Sequence, residues 1–250
     1  ANNTAQPNSR WYTGTGIYRP VELLTGPQLR IAPWGIFAHT DALTDGCAEV
    51  TAEVTVVNDT GAAVDRRVYA SLTHARQTLA TGFQMVHIPA HGEAVARVHL
   101  RVPGAPIWDV DDPQLCTVTA AVDDDEASTS FGIRTVQIDR TGLQLNGRKL
   151  KLKGGCVHHD NGILGAASFA DSEFRKMKLH KDNGYNAIRT AHNPPSTAML
   201  DACDRLGLLV MDEAFDVWRI PKVRNDYHLY FEKYWKEDLA AMIRRDRNHP

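Results

Sequence analysis

Residues 185–214 read YNAIRTAHNPPSTAMLDACDRLGLLVMDEA, and the order of elements in that stretch decides the fold. YNAIRTAHN reads as a strand running into a polar turn. Ser196 is placed to cap a short helix and Gly207 to end it, with Met199, Cys203 and Leu206 at helical spacing between them. LLVMDEA then runs apolar without alternation, as a strand covered on both faces should. Strand, helix and strand in that order imply a right-handed parallel crossover.

The pattern extends both ways. Upstream, KLKGGCVHHD is a strand candidate. The helix SFADSEFRKMKLHKDNG follows, with Ser168 or Asp171 as its cap and Asn183-Gly184 as its stop. Downstream, Phe231, Trp235, Leu239 and Met242 mark one stripe of a long helix, YHLYFEKYWKEDLAAMIRRDRN. Glu232/Lys236 and Lys233/Glu237 are i,i+4 pairs on its exposed side. Three strand–helix units predict a doubly wound sheet or a (β/α) barrel, and either needs more strands than three. A complete barrel takes roughly 250 residues by itself, so residues 140–250 are expected to be an incomplete one. Asn248-His249-Pro250 is a turn signal directly after the helix. Pro250 cannot continue a helix, so a longer parent protein is expected to go on into a further strand.

The first half has a different period. In CAEVTAEVTVVND, Ala48, Val50, Ala52, Val54 and Val56 share one face, and Glu49, Thr51, Glu53 and Thr55 share a wet one. Asn58-Asp59-Thr60-Gly61 breaks the run as a turn. RRVYASLTH, AVARVHLRV and QLCTVTAAV repeat the alternation with Gly- and Pro-bearing turns between them. These strands predict an antiparallel β-sandwich from about Thr25 to Asp139.

Lys+Arg of 28 against Asp+Glu of 30 leaves a net charge of −2, which points to neither nucleic acid nor membrane as partner. No apolar run approaches the roughly 20 residues of a membrane span. The polar opening ANNTAQPNSR lacks a signal peptide's apolar core, and the compartment stays open. Cys47, Cys116, Cys156 and Cys203 lie far apart, without zinc spacing, and read as small buried hydrophobes.

Residues able to do chemistry gather at the strand ends: His158, His159 and Asp160 on the first, Arg189, His192 and Asn193 on the second, Asp212 and Glu213 on the third. In a parallel barrel all those ends open on one rim. Arg189 shares parity with Ala187 and points toward the barrel axis, where it must meet carboxylates or carbonyls. Neighbouring side chains point oppositely, so one of each pair faces the site. His158 shares parity with Gly154 and Cys156 and is the preferred one, while His159 stays open between a structural and a site-supporting role. One of Asp212 and Glu213 is expected to be an ion-pair partner. A metal-dependent hydrolase using His158, His192, Asp212 and Glu213 is the competing chemistry. Adjacent histidines cannot both face inward as such a site needs, and no metal is expected.

WYTGTGIYRPVELL, FGIRTVQID, LNGRKLKLKGGCVHHD, NAIRTAHNPP, LLVMDEAFDVW and RRDRNHP, in that order, resemble glycoside hydrolase family 2, most closely its β-galactosidase branch. The resemblance runs from Trp11 to Pro250 and is dense from Gly132 onward. It implies a jelly-roll domain, then an immunoglobulin-like sandwich, then a (β/α)8 barrel. On that plan residues 1–24 are a polar lead plus the last jelly-roll strand (Trp11–Leu24), 25–139 the sandwich, and 140–250 the first part of the barrel. His158, Arg189 and His192 match positions lining the family's sugar site, and the family's Arg at the place of Arg189 supports the nucleophile.

Members of the family are retaining glycosidases, and the resemblance puts both catalytic glutamates beyond Pro250. This chain alone is therefore expected to be inactive, and its barrel edges to promote self-association. Some members bind magnesium through an acid and a histidine just after the DEA strand. Asp216 and Trp218 stand there, so no cofactor is expected, and magnesium or sodium is left to the parent. Galactosidase, glucuronidase and mannosidase share this frame, so the glycoside is not fixed. The alternative outside enzymology is an independent sandwich module for binding.

Overall fold

The computed structural model describes residues 16–250. They fall into two compact units. One takes Leu23–Lys151 with Arg247–Pro250, the other Leu152–Asp246 with the residues up to Glu22. Residues 1–15, most of the expected lead and jelly-roll strand, lie outside the described residues, and residues 16–28 carry no strand.

The first unit is a sandwich of β1 (Leu29–Thr44), β2 (Cys47–Asn58), β3 (Val64–His74), β4 (Gln77–Ile88), β5 (Gly92–Pro103), β6 (Cys116–Val122) and β7 (Asp125–Phe131). Its sheets run β1-β2-β5 and β4-β3-β6-β7, antiparallel throughout. This is an immunoglobulin-like order with the fourth strand on the second sheet. Ala48, Val50, Ala52, Val54 and Val56 are all buried and meet Val68, Leu72, Val98, Leu100 and Val118 in one core. Each fully buried Val or Leu contributes about 1.5–3 kcal/mol.

Thr51 departs from the expected wet face, because it is buried between its cross-strand partners His39 and His99. Its hydroxyl donates to Asp41 at 2.6 Å and meets His99 Nδ1 at 2.9 Å. The strands β1 and β4 lack clean alternation, and β7 alternates in burial but is too polar to show it, so the sequence alone did not mark them.

A small antiparallel sheet of β8 (Val136–Asp139), β9 (Gly142–Leu145) and β10 (Arg148–Lys149) follows within the same unit. Asn146 Nδ2 donates to the Trp108 carbonyl at 3.0 Å, and Arg148 pairs with Asp109 at 2.7 Å. The Asn248 side chain accepts from Ala38 N (2.9 Å) and donates to the Ile36 carbonyl (2.8 Å), so it satisfies the β1 edge as a strand would.

The second unit alternates β11 (Gly154–Val157), α1 (Ala170–Asp182), β12 (Ala187–Thr190), α2 (Thr197–Leu206), β13 (Leu209–Met211) and α3 (His228–Asp246). The sheet β11-β12-β13 is parallel and open at both edges, so it is part of a barrel and not a closed one. Val157 and Ile188 pack on Met177 of α1 and on Met199 and Cys203 of α2. Ser196 caps α2 by accepting from Met199 N, and Gly207 ends it in the left-handed conformation.

The cap expected for α1 is different. Phe169 is the capping residue and offers no side-chain bond, while the Ser168 hydroxyl donates to Glu173 instead. On α3, Phe231 is buried and Trp235, Leu239 and Met242 are half-buried, as the stripe requires. The expected i,i+4 pairs give way to other partners. Glu232 binds Arg219, and Lys236 and Lys233 lie over the Trp235 and Tyr234 rings. Among the described residues no helix is long and apolar enough to cross a membrane.

Candidate active site

Pairing register sets the site. Cys156, Arg189 and Met211 are opposite one another on β11, β12 and β13. Alternation therefore sends Cys156, His158, Arg189 and Glu213 to the face away from the helices, and Thr190 and Asp212 to the other. Arg189 Nε donates to Glu213 Oε1, and Arg189 Nη1 meets Cys156 Sγ at 3.2 Å. His192 Nδ1 lies 3.1 Å from Glu213 Oε2 and 3.4 Å from Arg189 Nη2. One nitrogen cannot both donate to Glu213 and accept from Arg189. The shorter contact makes His192 a donor to the carboxylate and leaves the guanidinium a close neighbour. Contacts with Cys156 and Glu213 raise the Arg189 guanidinium above its already high ordinary value.

His158 Nδ1 donates to the Ala191 carbonyl at 2.7 Å, which puts Nε2 on the opposite side of the ring. Its ring meets His192 edge-on at 5.9 Å. The loop that bears His192, with a cis Ala191–His192 peptide, is tied down from two directions. Arg19 donates to the carbonyls of Pro195 and Pro194 at 3.2 and 3.0 Å, and Arg245 to that of Pro195 at 3.0 Å. Burial lowers the Arg19 pKa.

The structure thus brings together His158, Arg189, His192 and Glu213, and Glu213 is the ion-pair partner of the acidic pair. Asp212 turns the other way, toward the Thr190 hydroxyl at 3.3 Å and the Asp246 carboxyl. Burial, then the bond to Asp246, push its pKa up to about 6. His159 also leaves the cluster and stacks on Tyr18 at 5.9 Å. Asp160 meets Lys176 through its carbonyl, and Asn193 is half-buried just beyond His192. Among the described residues His158, His192, Asp212 and Glu213 do not gather as a metal-ligand group, because Asp212 lies on the far face of the sheet. Asp216 pairs with Lys222 at 2.6 Å.

Two participants escaped the sequence reading. Cys156, taken for a buried hydrophobe, is exposed beside Arg189, as its parity with His158 implied. Cys47 is half-buried. Cys116 and Cys203 are buried as expected, and burial pushes the Cys116 thiol up to about 11. The second participant is Lys176, which donates to the carbonyls of His158 (3.2 Å) and Asp160 (3.1 Å) and pairs with Glu173 at 3.0 Å. An acid and a lysine three apart on a helix face that must bury itself was the available signal.

Residues 136–250 match Glycosyl hydrolases family 2, TIM barrel domain, and residues 30–134 match Glycosyl hydrolases family 2. A β-galactosidase of Bacteroides ovatus is 41% identical over all of this chain, which covers 30% of that protein. A family 2 glycosyl hydrolase structure from Bacteroides cellulosilyticus is 42% identical with a TM-score of 0.91, over 97% of this chain and 32% of that one. A β-glycosidase structure from Bacteroides vulgatus is 32% identical with a TM-score of 0.90, over 100% of this chain and 32% of that one. The chain thus spans about a third of the length of the relatives it matches. With a sandwich and parallel strands in the family's order, and family matches over nearly all residues from 30 onward, this chain belongs to glycosyl hydrolases family 2.

Proposed function

We propose that this chain is the sandwich and first barrel strands of a longer retaining glycoside hydrolase that removes terminal β-galactosyl groups. The observation that carries the reading is the cluster of His158, Arg189, His192 and Glu213 at the C-terminal ends of three consecutive parallel strands. The likeness to the β-galactosidase of Bacteroides ovatus over the whole chain supports the choice of glycoside.

Double displacement needs two carboxyl groups about 5–5.5 Å apart, one as acid/base and one as nucleophile. On this reading both stand beyond Pro250, and this chain supplies their surroundings. Arg189 provides a fixed positive charge that keeps a neighbouring carboxylate ionised. His158 and His192 line the place where sugar hydroxyls would lie. No step passes through a metal held by these residues, and neither nucleic acid nor membrane is a partner. The open edges of the β11-β12-β13 sheet make the isolated chain prone to self-association.

The test is an assay of the full product of the gene on nitrophenyl β-galactoside, β-glucuronide and β-mannoside, with the product anomer followed by NMR. Hydrolysis of the β-galactoside with retention is expected. Inversion, or no turnover on any of the three, would overturn the reading, and preference for another glycoside would overturn the galactosyl assignment.

A further inference from the structure

The sandwich has an open groove of about 740 Å³ where β4 passes over β5, far in sequence from the strands of the active site. Gly82 is what lets β4 come so near. A Cβ there would stand 2.9 Å from Val98 Cγ1 and 3.3 Å from the His99 carbonyl. Tyr69 and Phe83 form one wall. They are direct cross-strand partners with ring centres 5.8 Å apart, and they remain 47% and 54% exposed although Arg67 covers one face of Phe83.

Thr81, Gln84, Arg97 and His99 supply the polar lining. Their bonds within the sandwich fix their orientation. Gln84 Oε1 accepts from Arg97 N, Arg97 Nε pairs with Glu53 at 2.9 Å, and His99 Nδ1 meets Thr51 at 2.9 Å. The Gln84 amide nitrogen, the His99 Nε2 and the Thr81 hydroxyl are the remaining groups for a ligand.

We infer that this groove is a second, non-catalytic binding site for a neutral saccharide chain. Its volume lies in the range of about 300–1,000 Å³ typical of ligand sites. A half-exposed aromatic wall suits the C–H face of a sugar ring, and donors and acceptors around it suit the hydroxyl edge. Arg97 of the lining is already balanced by Glu53, and the neighbouring Arg67 guanidinium is taken up by the Phe83 and Tyr69 rings and the Tyr69 hydroxyl. Charge complementarity therefore favours a neutral chain over a uronate. The choice of saccharide over peptide rests on the chain's family membership and on the glycosidase reading.

The test is affinity gel electrophoresis of the 250-residue chain in soluble β-galactan, neutral β-glucan and polygalacturonate, with a melting curve for each variant. Retardation by a neutral polysaccharide is expected. Tyr69→Ala and Thr81→Glu should each weaken it by about tenfold or more, as loss of an anchoring contact does. Should Tyr69→Ala fail to fold, Thr81→Glu decides, because that side chain is solvent-facing. Arg189→Ala should leave the retardation unchanged. The inference is overturned by retardation in polygalacturonate alone, by none in any neutral polysaccharide, by unchanged binding in Thr81→Glu, or by loss in Arg189→Ala. Failure of the glycosidase reading would show in the hydrolysis assay instead, so the two failures are distinguishable.

Discussion

Arg189 stands on β12, and Glu213 lies just past the end of the adjacent parallel strand β13, two residues beyond Met211, the register partner of Arg189. Equal parity puts both on one face, and the guanidinium and carboxylate meet there. With side chains 39% and 21% exposed, such a pair is screened by solvent and adds little to stability. Its consequence is positional, since it aims the guanidinium along the strand ends where a substrate or a further carboxylate would stand.

In the full product of the gene, Arg189→Ala should therefore lower kcat by about a hundredfold or more, as removing a preorganised charge does. The melting temperature should move by only a few degrees, because the pair is partly solvated. Near-normal kcat with a large loss of stability would make Arg189 structural.

The 250-residue chain itself should not hydrolyse nitrophenyl β-galactoside above background when purified from a host lacking that activity. Turnover that co-purifies with the chain would place a catalytic carboxyl within it, and Glu213 would be the first to examine.

Asp212 gives a pH dependence of definite sign. Its pKa is about 6 in the folded chain, against about 3.9 for an unfolded aspartate. Between those values the native state keeps a proton that the unfolded state has lost, so stability falls as pH rises from about 4 to 6 and then levels off. Allowing for partial exposure, the change is about 1–2 kcal/mol. Asp212→Asn should flatten the slope of urea-unfolding stability across that window and raise stability at pH 7. A slope that survives the substitution would assign the effect elsewhere.

Much of this arrangement was legible because it depends on alternation alone. The choice of His158 over His159 needed only the parity of neighbouring residues on a strand. The acidic pair could be said to divide, but which member faced Arg189 depended on the register of β12 against β13, which no local pattern carries. Lys176 was legible only in part. Its i,i+3 spacing to Glu173 shows in the sequence, but its other partners are carbonyls of the loop after β11, and main-chain acceptors leave no trace in side-chain identity. The irregular strands β1 and β4 were hidden because edge strands with bulges or solvent on both faces lose the alternation that marks the others.

Lys176 leads to a further expectation. Glu173 is 1% exposed, and its carboxylate receives Ser168 and Asn161 as well as Lys176. Lys176→Met would leave that carboxylate without its cation and the carbonyls of His158 and Asp160 without their donor. The cost should be about 3–5 kcal/mol in the barrel unit. Lys176→Met combined with Glu173→Gln should recover part of the loss, because an amide needs no counter-charge. Equal destabilisation in single and double variants would show that the carbonyl contacts dominate.

Gly154 is the most exacting position in the parallel sheet. A Cβ there would stand 1.9 Å from the carbonyl oxygen of Ala187 and 2.7 Å from its carbonyl carbon. Ala187 is its register partner, so relief requires the strands β11 and β12 to part. Overpacking of this kind, against main chain that cannot rotate away, should cost at least about 3 kcal/mol. Gly46 is the natural control. It has a positive φ of 74° but nothing within 4 Å of the added carbon, so Gly46→Ala should cost only about 1–2 kcal/mol of backbone strain. Hydrogen exchange resolves the outcome by segment. In Gly154→Ala the amides of β11 and β12 should lose protection while those of β2, β3 and β5 keep theirs, because the sandwich has its own core. The separation of Arg189 from Cys156 that follows would also remove kcat in the full product of the gene. Protection of β11 at the wild-type level in Gly154→Ala would mean that the two strands can absorb a methyl group, and that their close pairing does not hold Arg189 in place.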